Sequence, residues 1–356
     1  MTTTTGGGAP ASSASPATRA TRGLARLRAP LGFLLLGLAL AVAAVLSLAV
    51  GANPLPPGVV LDAVLRTDPT LPDHLVVTEK RLPRTLVGLT AGLALGMAGA
   101  VMQGLTRNPL ADPGLLGINA GASLFVVGAI SLLGVTSPGE YVWFAFVGAA
   151  VSAVVVYGVS SFGREGATPV KLALAGAAVT AALTSIVTAV LLVDQSSLDQ
   201  MRFWQVGALA ARGLPVVAQT TPFIVGGALI ALLLGRSLNG LALGDDVARG
   251  LGQNIVRTRI LAAVAIVALC GAATASVGPI AFVGLLVPHV ARSVVGLDYR
   301  LILPFSALAS PTLLLVCDVI ARVVARPGEL QVGIVTAVIG APLFIVLVRK
   351  GKAVRL

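Results

Sequence analysis

The sequence predicts an all-α polytopic membrane protein of about ten transmembrane helices, and three observations carry that expectation. First, 56% of the 356 residues are hydrophobic and only 11% are charged, with a mean hydropathy of +0.96; a soluble domain of this length carries roughly a quarter charged residues. Second, apolar runs recur from Leu31 to Val348. Each comes near the ~20 residues that cross a bilayer, and lipid offers no water to unpaired backbone groups, so each must be a helix. Third, with the amino terminus inside, 17 Lys and Arg fall in inner loops and tails and eight in outer segments. That is the asymmetry of the positive-inside rule, and it accounts for the net charge of +11 without a nucleic-acid partner.

Breaks at Pro, Gly and charge clusters place the spans near residues 31–51, 85–105, 114–133, 141–162, 171–193, 214–234, 258–274, 278–296, 301–320 and 331–348. Residues 1–30 hold Thr, Ser, Gly, Pro and Ala with Arg19, Arg22, Arg26 and Arg28 and no acid. They read as a disordered cytoplasmic tail before an uncleaved first helix, a signal peptide being the alternative. A single transmembrane domain then covers 31–350, and 351–356 form a second cytoplasmic tail. Cys270 and Cys317 lie inside apolar runs and read as small core residues.

In the second span, Gly88, Gly92, Gly96, Ala100 and Gly104 repeat every four residues and make one smooth ridge. Such a ridge lets a neighbouring helix approach closely; a glycine-lined substrate path is the alternative. The stretch that follows, TRNPLADPGLLGINAGAS, is unlike its apolar surroundings. Pro109 and Pro113 forbid a continuous helix, Asn108 and Asp112 supply turn bonds, and Gly114, Gly117, Gly121 and Ala122 let the next helix start against a neighbour's backbone, so a compact re-entry is expected.

The loop over 236–257 is the longest inner polar segment. Leu241, Leu243, Val247, Ala248 and Leu251 form an apolar face broken by Gly244 and flanked by Asp245, Asp246 and Arg249. One or two short surface helices follow, and because two acids accompany a single Arg, a protein partner is favoured over lipid headgroups. On the outer side, Arg81 and Arg84 stand at the mouth of the second span, and Arg322 and Arg326 close the ninth; snorkelling to headgroups is the plain alternative. Asp318 and Arg322 are four apart on one helical face and form a pair. His74 and His289 lack neighbours at ligand spacing, so no metal site is expected. No G-x-x-x-x-G-K-[ST] loop occurs, so ATP, if it drives the protein, is bound by another chain.

Four stretches together resemble one family: RLPRTLVGLTAGLALGMAGAVMQGLTRNPLADPGLLGINAGAS, LNGLALGDDVARGLG, GPIAFVGLLVPHVAR and DVIARVVARPGELQVGIVTAVIGAPLFIVLVRK. They are similar to the FecCD/BtuC-type permease subunits of type II ABC importers for iron chelates, haem and cobalamin, over about residues 31–350. The resemblance implies a ten-helix permease that dimerises with an identical or homologous subunit around a central path, its halves partly related by inverted repeats. It gives Arg81, Arg84 and Arg322 the role of meeting acids on an extracytoplasmic substrate-binding protein. It gives Leu241, Leu243, Gly244, Asp245, Asp246, Val247, Ala248, Arg249, Leu251 and Gly252 the contact with two cytoplasmic ATPases. At the cytoplasmic gate, where a cobalamin permease has a Thr-Ser pair, this chain has Pro169 and Val170 after Thr168.

The implied function is import of a ferric siderophore across the bacterial cytoplasmic membrane, with both termini inside, no cofactor in this chain and ATP bound by partners. Haem and cobalamin are the alternative cargoes. An ion-coupled secondary transporter is the alternative class, and a single, paired intramembrane acid argues against it.

Overall fold

The computed structural model describes residues 16–51, 54–162, 168–210, 212–326 and 328–349. Its first helix, α1 (Pro16–Ala49), begins inside the segment expected to be an unstructured tail. The Ala, Arg and Leu of this stretch are good helix formers. The remainder of that expected tail, and residues 351–356, lie outside the described residues.

After α1, two short helices, α2 (Pro57–Leu65) and α3 (Pro72–Leu75), lead through a π-helical turn over Val76–Arg81 into α4 (Leu82–Thr106). A 3-10 turn over Pro113–Leu116 precedes α5 (Ile118–Leu133), α6 (Pro138–Ser161), α7 (Pro169–Val193), α8 (Gln195–Gln205) and α9 (Leu214–Leu233). The surface helices α10 (Gly235–Ala242) and α11 (Asp245–Gly250) are followed by α12 (Ile255–Ile266), a π-helical turn over Val267–Gly271 and α13 (Ala272–Val277). The chain closes with α14 (Val283–Val295), α15 (Tyr299–Val324) and α16 (Val332–Arg349). Each of the ten expected spans contains a helix or a helical run. The third becomes α-helical only at Ile118, beyond Gly117, and the eighth only at Val283, because residues 278–282 are not helical. Seven of these helices or runs are long and apolar enough to cross a membrane, and Ile118–Leu133, Val283–Val295 and Val332–Val346 are shorter apolar helices. No strand occurs among the described residues.

The most buried of the seven long helices is α4, whose ridge faces α15. A Cβ on Gly92 would fall 2.5 Å from Pro311 Cα, one on Gly88 2.6 Å from Leu315 Cδ2 and one on Gly104 3.0 Å from the Tyr299 ring, while one on Gly96 would run into Ser310. Gly99, off the ridge, lies against the Gly284 carbonyl of α14. The ridge therefore packs helix on helix, the close approach that small residues permit in lipid.

Beyond α4 the chain turns back sharply. Asn108 Oδ1 accepts from Leu110 N–H at 3.0 Å and Asp112 Oδ1 from Gly114 N–H at 2.8 Å. Gly117 adopts φ 69°, and a Cβ on Gly121 would strike the Gly148 carbonyl, so α5 starts flush against α6.

Between α13 and α14 the helix is interrupted over residues 278–282. Ala208 N–H donates to Val277 O at 2.8 Å and Gly333 N–H to Gly207 O at 3.1 Å. Gly278, with φ 80°, abuts the Trp204 carbonyl. The end of α8, this interruption and the start of α16 are thus joined through backbone. Phe282, a bulky residue at φ 69°, opens α14 and lies near Phe344, ring centroids 6.5 Å apart. Positive φ at such a side chain is an outlier that persists only where packing holds it.

Candidate functional site

The bundle presents two polar ends, one carrying α2, α3 and α8 and the other α10 and α11. At the α8 end, Arg84 in the first turn of α4 meets Asp318 near the end of α15. Arg84 Nη2 lies 2.8 Å and Nε 3.1 Å from Asp318 Oδ1, Nε lies 3.0 Å from Oδ2, and Nη1 donates to Glu329 at 2.6 Å. Arg322, one turn beyond Asp318, closes the i,i+4 pair at 2.9 Å.

Its other donors reach α1. Arg322 Nη1 donates to the carbonyls of Ser47 and Val50 at 2.9 and 2.7 Å, Arg81 Nη1 to those of Leu48 and Ala49 at 2.8 and 2.7 Å, and Arg326 Nη2 to that of Gly51 at 2.8 Å. The last carbonyls of a helix have no intrahelical partners and carry the negative end of its dipole, so three arginines satisfying them anchor the end of α1.

Arg81 and Arg322, which the sequence offers as docking groups or headgroup anchors, are consequently only 7% and 2% exposed. With Arg84 they line a cavity of about 230 Å³ whose wall also includes Asp73, Lys80 and Glu329. A partner's carboxylate would have to enter this cavity to reach them. His74 is structural, accepting from Asp68 N–H at 3.1 Å.

At the opposite end, Leu243, Val247 and Leu251 are 64%, 49% and 65% exposed, whereas Leu241 and Ala248 are buried. Helical spacing alone places all five on one face. Gly244, at φ 106°, separates α10 from α11 and resets the helical period, so Leu241 and Ala248 become the inner anchors of two helices whose outer residues form the free apolar surface. Asp245 is held between Arg107 at 3.3 Å and Arg259 at 2.8 Å; the longer contact is an ion pair without hydrogen-bond alignment. Asp246 faces outward beside Arg249 at 2.7 Å, and Gly252, φ 79°, ends the motif.

Asn239 on α10 clasps the start of α15, donating to Asp298 Oδ1 at 2.6 Å and accepting from Tyr299 N–H at 2.8 Å. Hydrogen bonds from the Arg300 guanidinium hold the Asp298 carboxyl down at about 2. Of the expected gate residues, Thr168 caps α7 by accepting from Lys171 N–H at 3.3 Å, Pro169 occupies its first turn, and Val170 is exposed.

Two buried arginines escaped the sequence reading. Arg292 of α14 donates to Gln103 Oε1 at 2.7 Å and to Tyr299 Oη at 3.3 Å, while Gln103 donates to Leu285 O at 3.1 Å, tying α4, α14 and α15 together. Arg212, between α8 and α9, donates to Tyr141 Oη at 2.7 Å. Nothing in the sequence distinguishes either from a loop arginine, because their partners are neutral side chains, Gln103 and Tyr141 lying 189 and 71 positions away and Tyr299 standing seven along in another helix.

A helical bundle with interrupted helices, a buried ion cluster at one end and an exposed apolar pair of surface helices at the other is the build of the membrane subunit of a transporter. Residues 38–350 match the FecCD transport family. The chain is 50% identical over 320 residues to the ferric enterobactin transport system permease protein FepD of Escherichia coli, covering 90% of this chain and 94% of that one. It is 48% identical over 280 residues to the Fe(3+)-citrate import system permease protein YfmD of Bacillus subtilis, covering 79% and 83%. An inward-facing metal-chelate type ABC transporter superposes with a TM-score of 0.79 at 29% identity, over 90% of this chain and 99% of that one. The chain belongs to the FecCD family of ABC-transporter permeases, multi-pass membrane subunits that are not enzymes and leave ATP hydrolysis to a separate subunit.

Proposed function

We propose that this chain carries a ferric siderophore across the cytoplasmic membrane as the permease subunit of a binding-protein-dependent importer. The observation that carries this reading is the 50% identity, over nearly the full length of both chains, to a permease named for ferric enterobactin. The α10–α11 end is cytoplasmic in this reading, consistent with the excess of Lys and Arg there, and both termini are inside. The exposed Leu243, Val247 and Leu251 dock into one of two ATPases. A second permease, identical or homologous, completes the path, and no cofactor is bound by this chain. The extracytoplasmic binding protein inserts acidic side chains into the cavity lined by Arg81, Arg84 and Arg322, and Thr168, Pro169 and Val170 frame the inner gate. Haem and cobalamin are the other cargoes of the wider family; the iron(III) chelates named for the relatives favour the siderophore.

The test is radioiron uptake into proteoliposomes containing the assembled transporter. ATP-dependent, vanadate-sensitive accumulation of a ferric chelate supports the reading, whereas accumulation driven by an ion gradient without ATP overturns it.

A further inference from the structure

At the α8 end, next to the arginine-lined cavity, a second cavity of about 250 Å³ is walled by Arg84, Tyr141, Gln200, Trp204, Arg212 and Gln331, among others. Arg212 and Trp204 are 8% and 2% exposed. The Arg212 Nε–H and the Trp204 Nε1–H are both buried and both lack an acceptor. The Arg212 guanidinium bonds to Tyr141 Oη at 2.7 Å and sits 5.9 Å from the centre of that ring. The acid on the cavity wall, Glu329, is engaged by Arg84, and no carboxylate among the described residues is within ion-pair distance of Arg212.

A buried donor without an acceptor is costly, and a buried cation without a counter-charge more so. Here the unmet capacity is entirely donor and the local charge is positive. A ligand that completes this site must therefore bring acceptor oxygens and negative charge, and the planar fork of an arginine fits two oxygens held side by side. The wall is also firmly mounted: the Trp204 carbonyl abuts Gly278, and the backbone bonds Ala208–Val277 and Gly333–Gly207 fix it to the helix interruption and to α16. Interrupted helices are where transporters of several folds place their substrates.

We propose that this cavity is a substrate subsite that selects net-anionic iron(III) chelates by their paired surface oxygens, catecholate or carboxylate, through Arg212 and Trp204. It rests on the reading of the chain as a ferric-siderophore permease and adds to it a charge preference and the residues that impose it. Three dianionic catecholates around Fe(III) leave a negative complex rich in acceptors. A cationic trihydroxamate complex meets Arg212 with like charge and is rejected.

The chain has two tryptophans, so Trp143→Phe leaves Trp204 as the single one of this chain, and the quenching assigned to it is the part that Trp204→Phe abolishes. The full-length permease, assembled with its ATPase in lipid nanodiscs, is titrated with a ferric tris-catecholate and with a cationic ferric trihydroxamate. Trp204 emission should be quenched saturably by the first and not by the second. Arg212→Met should weaken the apparent affinity about tenfold or more, the scale set by removing one member of a desolvated charge contact, and Arg212→Lys should retain part of it. Equal saturable quenching by both chelates, no saturable quenching by the catecholate, or an affinity unchanged in Arg212→Met overturns the subsite.

Should Arg212→Met fail to assemble, Trp204→Phe keeps most of the aromatic bulk and deletes the donor; its radioiron uptake must then prefer the anionic chelate less strongly, and an unchanged preference overturns the proposal. Failure of the parent reading is separate: the assembled unsubstituted transporter would then accumulate neither chelate with ATP.

Discussion

Asp318 is shared by Arg84 and Arg322, 2.8 Å from one guanidinium and 2.9 Å from the other, with no exposed surface of its own. The two arginines come from opposite ends of the sequence, so this single carboxylate fastens the start of α4 to the end of α15, and through Arg322 to the end of α1 as well. Asp318→Asn leaves two largely buried cations without their common acid. Removing one member of a buried pair costs ~3 to 5 kcal/mol, so the variant should melt at markedly lower temperature in detergent. Asp318→Asn combined with Arg322→Met should recover part of that loss, since Arg84 keeps Glu329. An unchanged melting temperature in the single variant would show that the cluster contributes to surface recognition alone.

Half of this cluster is legible in the sequence. Asp318 and Arg322 are one helical turn apart, a spacing that reads directly as a pair, whereas Arg84 reaches Asp318 across 234 positions and carries no local mark. The ten spans are legible because lipid forces the backbone to satisfy itself within each apolar run. The re-entry after α4 is legible because Asn, Asp, Pro and Gly act through bonds to their own neighbours. What periodicity cannot show is where the helical phase resets: Gly244 turns one expected face into two, and Phe282 takes a conformation its residue type disfavours. The surplus donors of Trp204 and Arg212 are equally silent, since absence of a partner is a property of the folded neighbourhood.

The glycine contacts predict a graded response. A Cβ on Gly88 meets Leu315 Cδ2, the far end of a flexible side chain, while one on Gly99 meets the Gly284 carbonyl, which is backbone and cannot step aside. Gly88→Ala should therefore assemble nearly normally and Gly99→Ala poorly, with Gly128→Ala, which meets nothing within 4 Å, as the neutral control. Gly92→Leu and Gly96→Leu, facing Pro311 and Ser310, should insert into the membrane but fail to yield monodisperse complex on size-exclusion chromatography. Equal recovery of all five would mean that α4 packs closely against neither α14 nor α15 in the assembled transporter.

The clasp between α10 and α15 should be insensitive to pH until strong acid. The folded Asp298 carboxyl lies near 2, below its ordinary value, so the stabilisation it gives is fully present above that ordinary value and is lost only as pH falls toward 2. Protection of the Tyr299 amide against hydrogen exchange, corrected for the intrinsic rate, should stay level from neutral pH down to about 4. Asp298→Ala should lower it across that whole range. A loss of protection near neutral pH in the unsubstituted protein would assign the clasp to some other titrating group.

The split of the α10–α11 surface gives the sharpest contrast, because neighbouring leucines should fail in different ways. Leu243, Val247 and Leu251 expose apolar surface that no described residue covers, whereas Leu241 and Ala248 seat the same two helices on the bundle. Asp at Leu243 or Val247 puts a charge on an outer face where water reaches it, so the permease should keep its melting temperature while losing copurification with the ATPase, because docking would bury that charge unpaired. Asp at Leu241 buries the charge in the permease itself, so the subunit should lose thermal stability before any partner is added. The two measurements, melting of the isolated permease and recovery of bound ATPase, must separate the two classes of variant. If Leu243→Asp lowers the melting temperature as much as Leu241→Asp, both leucines belong to the fold. If it binds the ATPase and transports normally, the partner docks elsewhere on this end of the bundle.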